Sequence, residues 1–424
     1  MTLERFFGKK KRSFVKRKSR LVRWFFETLG SGPNTPFRRM VLRLLGCEPL
    51  LLCAAPKFAK RSFDVAEASV STVAVPCLAE AAPLVLRGTH PILQAHLFKG
   101  ASVAVYSSAV VLAQHVVMSH AARAARHRIL AEADGLFELR PTYCFKIKTE
   151  YLSIPKGIFV SGAGASNWYH FMIEILPKAL LAQELPPEFA DYPLLVPQEC
   201  SDLPSFAQAL AVFAGGRQII TLAKGQPVRV ESLIAFDEVS LCPYNLIEGD
   251  WPVPADFGQH DDLFLRHFQM LRDSVLGLAD GAIPAPPQRR IFLTRPLGRR
   301  NYNQDALAAI ARKYGFETCA PGEMSLDEQA ALFSSAEMVI GGSGAAWVGM
   351  LFRNAPARFL SWLPAEYDQF CCYSSLAALM GHQMEFLEYS PDLPLNSTAD
   401  AYGTGYHLDP DQFEHALQRM TGVA

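Results

Sequence analysis

His170 and Glu174 stand four residues apart in a segment, 166–177, that also carries Asn167, Trp168 and Tyr169 and closes on Pro177. On a helix started by Ser166 or Asn167, that spacing puts an imidazole and a carboxylate on one face. Either group can take a proton from a hydroxyl. Two such ligands are too few for a metal site, and a plain ion pair at the edge of a buried helix has the same spacing. A second constellation is basic: Arg295, Arg299 and Arg300 follow directly on the apolar residues 291–294. Guanidinium groups bind phosphate oxygens two at a time, although a solvated loop also accommodates them. The third is glycine-rich. An apolar run, 338–340, enters Gly341, Gly342, Ser343, Gly344 and Ala345, and a helical pattern begins at once. Glycines let backbone N–H groups approach an anion, and the start of a helix favours negative charge. A tight strand-to-helix turn would need the same glycines. Arginines at one strand end and glycines at another, in one sheet, point together to a diphosphate.

The supporting elements follow from hydrophobic periodicity. Residues 102–111 and 157–160 read as strands, 121–133 as a helix, and 166–184 as a helix that Pro177 kinks or breaks. Strands at 191–196, 217–222 and 232–236 surround a helix at 205–214. An amphipathic segment, 261–278, runs into the Gly- and Pro-rich stretch 281–287, the expected domain boundary. Behind it strands at 290–294, 317–320, 338–340 and 357–362 alternate with helices at 303–314, 325–335, 345–352 and 373–380. Such alternation builds parallel sheets from βαβ units, and ligands bind those sheets at the carboxyl ends of their strands. Ser325 with Glu328 forms a capping box. Asn303 is expected to cap the helix behind it, and Asp409 to cap one that begins with Pro410. The expected organisation is a basic segment, 1–60, followed by domains at 61–280 and 281–424.

Composition sets the bounds. The chain has 424 residues, 50% of them hydrophobic and 19% charged, enough for two cores and too apolar for a disordered chain. Net charge is zero, but residues 1–24 hold ten basic side chains against Glu4 alone. With Phe6, Phe7, Phe14, Trp24, Phe25 and Phe26 interleaved, residues 1–26 suit an anionic membrane surface. A solvated polybasic tail is the alternative, and a specific nucleic-acid element is not indicated. No apolar run reaches the roughly 20 residues that a bilayer requires. Nine cysteines lie scattered without a Cys-x-x-Cys pair, which excludes a zinc or disulfide framework and suits a reducing cytoplasm. A serine-hydrolase elbow is absent.

The segment 290–352 resembles the C-terminal domain of glycosyltransferase family 61. The likeness lies in Thr294 and Arg295 with Arg299, Arg300 and Asn303, then in Tyr314, Gly315, Phe316 and Glu317, and then in 326–336 and 339–346. Asn167 and His170, with Glu174 and Pro177, are similar to that family's N-terminal Asn-x-x-His helix, so the resemblance covers 158–381. It implies a GT-B-like fold, α/β, with two Rossmann-like parallel-sheet domains facing a cleft. It also implies a nucleotide-sugar donor, a glycan or glycolipid acceptor, and no metal or other cofactor. Arg295, Arg299 and Arg300 would face the donor diphosphate together with Gly342, Ser343, Gly344 and Ala345. His170 and Glu174 would lie on the acceptor side beside Asn167 and Tyr169, one of them acting as base. The implied setting is surface-polysaccharide synthesis at the cytoplasmic side of the inner membrane. Ser343 stands where the family usually has His, and 359–362 lacks the usual acidic residue. These departures support an alternative, a non-catalytic nucleotide-sugar or glycan-binding component of a polysaccharide assembly complex.

Overall fold

The computed structural model describes residues 40, 44, 47–49, 51–78, 84–113, 115–118, 136–140, 143–147, 152–241, 258–277, 289–296, 298, 300–367, 370–392 and 404–423. The basic segment 1–26, the expected helix 121–133, the expected boundary 281–287 and Arg299 lie outside them. The chain divides into two compact units, Met1–Glu67 with Ile92–Val239, and Ala68–Pro91 with Ser240–Ala424. Both are mixed α/β, and each contains parallel strands.

In the first unit a nine-stranded sheet has a parallel group at one side, antiparallel strands in the middle and a parallel pair, Leu51–Ala54 with His115–Met118, at the far edge. Its antiparallel strand β1 (Leu93–Val103) borders a parallel group made of β2 (Leu152–Phe159), β3 (Leu194–Pro197), β4 (Ile219–Leu222) and β5 (Val228–Phe236), in the order β4-β3-β2-β5-β1. Leu194, Leu195 and Val196 are wholly buried, as are Ile158, Leu233 and Ile234. This is the continuous apolar signature of a sheet covered on both faces. Each such side chain contributes roughly 1.5–3 kcal/mol of burial. The expected single strand at 102–111 is two: β1 ends at Val103 and the next strand is Val110–Leu112. Tyr106 between them has φ +65°, which an extended strand cannot accommodate.

The helical run α1 joins Trp168–His170, a π segment Phe171–Ile175 and Leu176–Leu181. The π turn is how the chain accommodates Pro177. A proline has no N–H to donate, and its ring collides with the carbonyl four residues back. Here the Leu176 N–H bonds to Phe171 O, so the helix widens by one residue and continues past the proline. Helix α2 (Pro204–Phe213) connects β3 and β4.

The second unit holds a six-stranded, wholly parallel sheet. Its strands are β6 (Arg289–Leu293), β7 (Phe316–Cys319), β8 (Ala336–Gly341), β9 (Arg358–Pro364) and β10 (Gln383–Tyr389). The order is β7-β6-β8-β9-β10, with Cys77–Leu78 as the sixth member beside β10. Helices α3 (Asp261–Leu276), α4 (Gln304–Lys313), α5 (Leu326–Ser334), α6 (Cys371–Leu379) and α7 (Pro410–Thr421) belong to it. Phe292, Ile340, Leu360, Trp362, Leu387, Phe413 and Leu417 share one core. Helix α5 starts on the expected capping box, and α7 starts on Asp409, whose Oδ1 accepts from the Asp411 N–H.

A hairpin, Ser69–Ala74 with Val85–His90, is part of this unit although its neighbours in sequence are not. Thr72 donates through Oγ1 (2.6 Å) and its backbone N–H (3.2 Å) to the Asp261 carboxylate. The Ala74 N–H donates to Ser375 Oγ at 3.0 Å.

Candidate functional site

The imidazole and carboxylate on α1 meet as the spacing requires. Asn167 starts the helix, its Oδ1 accepting from the Tyr169 N–H at 2.9 Å. His170 Nδ1 then lies 2.9 Å from Glu174 Oε2. The imidazole is the more exposed of the two, 19% against 11%, so it is the member that a ligand would reach first. Burial lowers the affinity of His170 for a proton, but the adjacent Glu174 carboxylate outweighs it, and the net shift is upward from 6.5. Gly164 passes under the ring with φ +72°; a Cβ there would lie 2.7 Å from His170 Cδ2, so only glycine lets the loop lie that close. Tyr169 is buried, edge-on to the imidazole at 6.2 Å.

Two hydrogen-bonded groups of this unit are not apparent from the sequence. Lys178 is buried, and its ammonium donates to Ser161 O (3.0 Å) and to both oxygens of buried Glu238 (3.3 and 3.2 Å). A second hydrogen-bonded line in this unit runs from Ser62 Oγ to His96 Nδ1 (2.9 Å) and from His96 Nε2 to Asp237 Oδ1 (3.1 Å). Asp237 Oδ2 also accepts from the Gln94 N–H. This line ties β1 to its neighbouring strand and to the end of β5.

In the second unit the arginine loop and the glycine turn leave adjacent strands at the same level, because Leu293 pairs with Gly341. Arg295 is the hub. Its Nη1 donates to Ser343 O (3.3 Å), and its Nη2 to Arg300 O (2.7 Å) and the Tyr406 hydroxyl (2.9 Å). Its guanidinium also lies over the Tyr302 ring, 4.9 Å from the centroid. Gln304 completes the tie, accepting from the Arg295 N–H at 3.0 Å. Gly342 lies against the same cluster: a Cβ would come within 3.2 Å of Tyr406 Oη and 3.5 Å of Trp362 Nε1. Trp362 Nε1 in turn donates to Tyr406 Oη at 2.7 Å. Ser343 is buried, while Gly344 and Ala345 are half-buried.

A shallow recess opens beside the hub, lined by Arg295, Pro296, Arg300, Asn301, Tyr302 and Gln304.

Two details differ from the sequence reading. The segment behind the glycine turn, Ala345–Phe352, is a 3₁₀ helix, not an α-helix. Asn303 does not cap α4 with its side chain. Its amide instead pairs with the backbone of Leu408, accepting from the N–H (3.0 Å) and donating to the carbonyl (2.8 Å). The returning chain at 404–408 is thereby fixed to the arginine loop. Among the described residues, no three His, Cys, Asp or Glu side chains gather as a metal site. No helix there is long and apolar enough to cross a membrane.

Residues 168–360 match the family described as Glycosyltransferase 61. The match starts at Trp168, so it takes in His170, Glu174, the arginine loop and the glycine turn. No curated protein matches the chain.

Proposed function

From the match of residues 168–360 to the family described as Glycosyltransferase 61, we propose that this chain is a member and moves a sugar from a nucleotide-sugar donor to a hydroxyl of a glycan or glycolipid acceptor. The reading includes a GT-B-like arrangement of two Rossmann-like domains and a role in surface-polysaccharide synthesis. The observation that carries it is the pairing of Leu293 with Gly341, which supports a shared anion site built from the arginine loop and the glycine turn. Arg300 lines the recess and is the cation offered to the donor diphosphate, with Arg299 beside it in sequence and the 342–345 backbone opposite. Arg295 spends its donors on Ser343, Arg300 and Tyr406, so its work is to hold these parts in place.

In the transfer step an acceptor oxygen attacks the anomeric carbon as the bond to the diphosphate breaks. The acceptor proton passes to Nε2 of His170, whose Nδ1–H is held by Glu174. The Glu174 carboxylate raises the proton affinity of His170 above its ordinary 6.5, which strengthens the imidazole as a general base. The charge left on the diphosphate is met by guanidinium and backbone N–H groups already in place, the kind of stabilisation that carries most of such barriers. No metal ion is required in this scheme. Residues 1–26 would hold the enzyme at an anionic membrane, each basic residue contributing roughly 1 kcal/mol.

The test is thermal stabilisation by a panel of nucleoside diphosphates and sugar nucleotides, with Arg300→Ala alongside. A ligand at 100 times its Kd adds about 2.7 kcal/mol, which is a shift of several degrees. One diphosphate should give that shift and lose it in the variant; no shift from any of them removes the donor site. Binding without turnover would favour the second reading, a nucleotide-sugar-binding component of an assembly complex, which Ser343 in place of the family His supports.

A further inference from the structure

The buried ion pair at Lys178 is not accounted for by stability. Lys178 and Glu238 are 2% and 4% exposed. A buried pair of this kind commonly stabilises a fold no more than well-packed apolar side chains of the same volume. All three protons of the ammonium have acceptors, Ser161 O and the two Glu238 oxygens. Those acceptors come from two places. Ser161 follows β2 and Glu238 follows β5, neighbouring parallel strands in which Phe159 pairs with Ala235. Lys178 therefore fastens one point of α1 to two adjacent strand ends. The β5 end is itself rigid, because Asp237 is held by His96 and by the Gln94 backbone.

That fastening matters because of where it falls. His170 precedes the π turn, Glu174 lies within it, and Lys178 directly follows Pro177. A π turn interrupts the regular ladder that would otherwise fix the rotation of one end of a helix relative to the other, and such turns recur at functional sites. The height of the imidazole over its loop thus depends on contacts outside the helix. At the near end these are the packing of His170 on Gly164; at the far end they are the bonds of Lys178.

We infer that Lys178, through Ser161 and Glu238, is a positioning residue that seats the π-turned helix on the strand ends so that His170 and Glu174 are held over the loop at 161–164. The inference rests on the proposed role of that pair in transfer. It assigns Lys178 no contact with substrate.

Lys178→Met alone would leave Glu238 buried without its partner and is a poor test. The decisive variant is Lys178→Met/Glu238→Leu in the full chain, which replaces the pair by apolar side chains of similar size. Its melting temperature should be unchanged or higher. Its turnover of the sugar nucleotide identified by the thermal panel should fall by on the order of 10- to 100-fold, the size of effect produced by a misplacement of about 1 Å, with the KM for donor unchanged. NMR titration of His170 in the same variant should move back toward 6.5 as its bond to Glu174 loosens. Unchanged turnover together with an unchanged His170 titration would overturn the inference and leave the pair a structural tie. If wild-type protein shows no turnover with any donor, the transferase reading fails by itself, and the His170 titration still decides the positioning role.

Discussion

Replacing Tyr406 by Phe tests the hub of the second unit with a single oxygen atom. The ring is buried and stacked between Tyr389, centroids 3.7 Å apart, and Tyr302, 5.2 Å apart with planes 2° from parallel. A phenylalanine ring keeps both contacts. The hydroxyl, however, accepts from Trp362 Nε1 at 2.7 Å and from Arg295 Nη2 at 2.9 Å. Trp362 is wholly buried, so its N–H would be left without an acceptor, which costs about 1–3 kcal/mol. Arg295 is only half-buried and can recover part of its loss from water. We expect a net loss of about 2 kcal/mol, which for a unit of this size lowers the melting temperature by about 4–8 °C. Burial holds the Tyr406 phenol above its usual range, so the difference should be flat from neutral to mildly alkaline pH. Calorimetry on Tyr406→Phe, Trp362→Phe and the double variant separates the shared bond, with a coupling of about 1 kcal/mol expected. Strict additivity, or a melting temperature within about a degree of wild type, would refute this account of the hub.

Two further substitutions probe other links. A Cβ at Gly349 would lie 2.1 Å from the Phe333 ring, so Gly349→Ala should cost about 1–3 kcal/mol or more by overpacking; an unchanged urea midpoint would show that α5 gives way freely. For His170, raised above 6.5 by Glu174, the folded state binds more protons than the unfolded one between 6.5 and the raised value. The stabilisation is therefore complete below 6.5 and is lost as pH rises through the raised value. Glu174→Gln removes the cause of the rise, so urea unfolding measured across neutral pH should lose that slope; identical slopes would mean that the pair is not coupled in solution.

What could be read from the sequence is what acts over a few residues. The expected strand at 290–294 is Arg289–Leu293, and the expected helix at 325–335 is Leu326–Ser334. Parallel strands covered on both faces give unbroken apolar runs, and the capping box works within three residues. Asn167 could be seen as a helix start for the same reason. The features that escaped are set by distant partners. Lys178 carries no local mark of its role, because Glu238 lies 60 residues away. Tyr406 carries no local mark of its role, since Arg295 is 111 residues distant. Pro177 announced a disturbance, but the choice of a π turn over a break depends on the packing of the whole run. The side chain of Asn303 prefers Leu408 to its own helix, an outcome no helix-capping rule contains.

The hairpin at 69–90 also has a consequence for the clock of synthesis. Ala74 must find Ser375, 301 residues further along the chain, and Cys77–Leu78 must wait for β10. At roughly 5–20 residues per second on the ribosome, those partners emerge about 15–60 s after the hairpin does. For that interval the segment is a finished message with no recipient, its strand edges open to any passing chain. A fragment starting at Ser240 would never receive it, and one ending at Val239 would carry it unspent. The two units can be distinguished in the folded protein, but no single cut in the chain yields both.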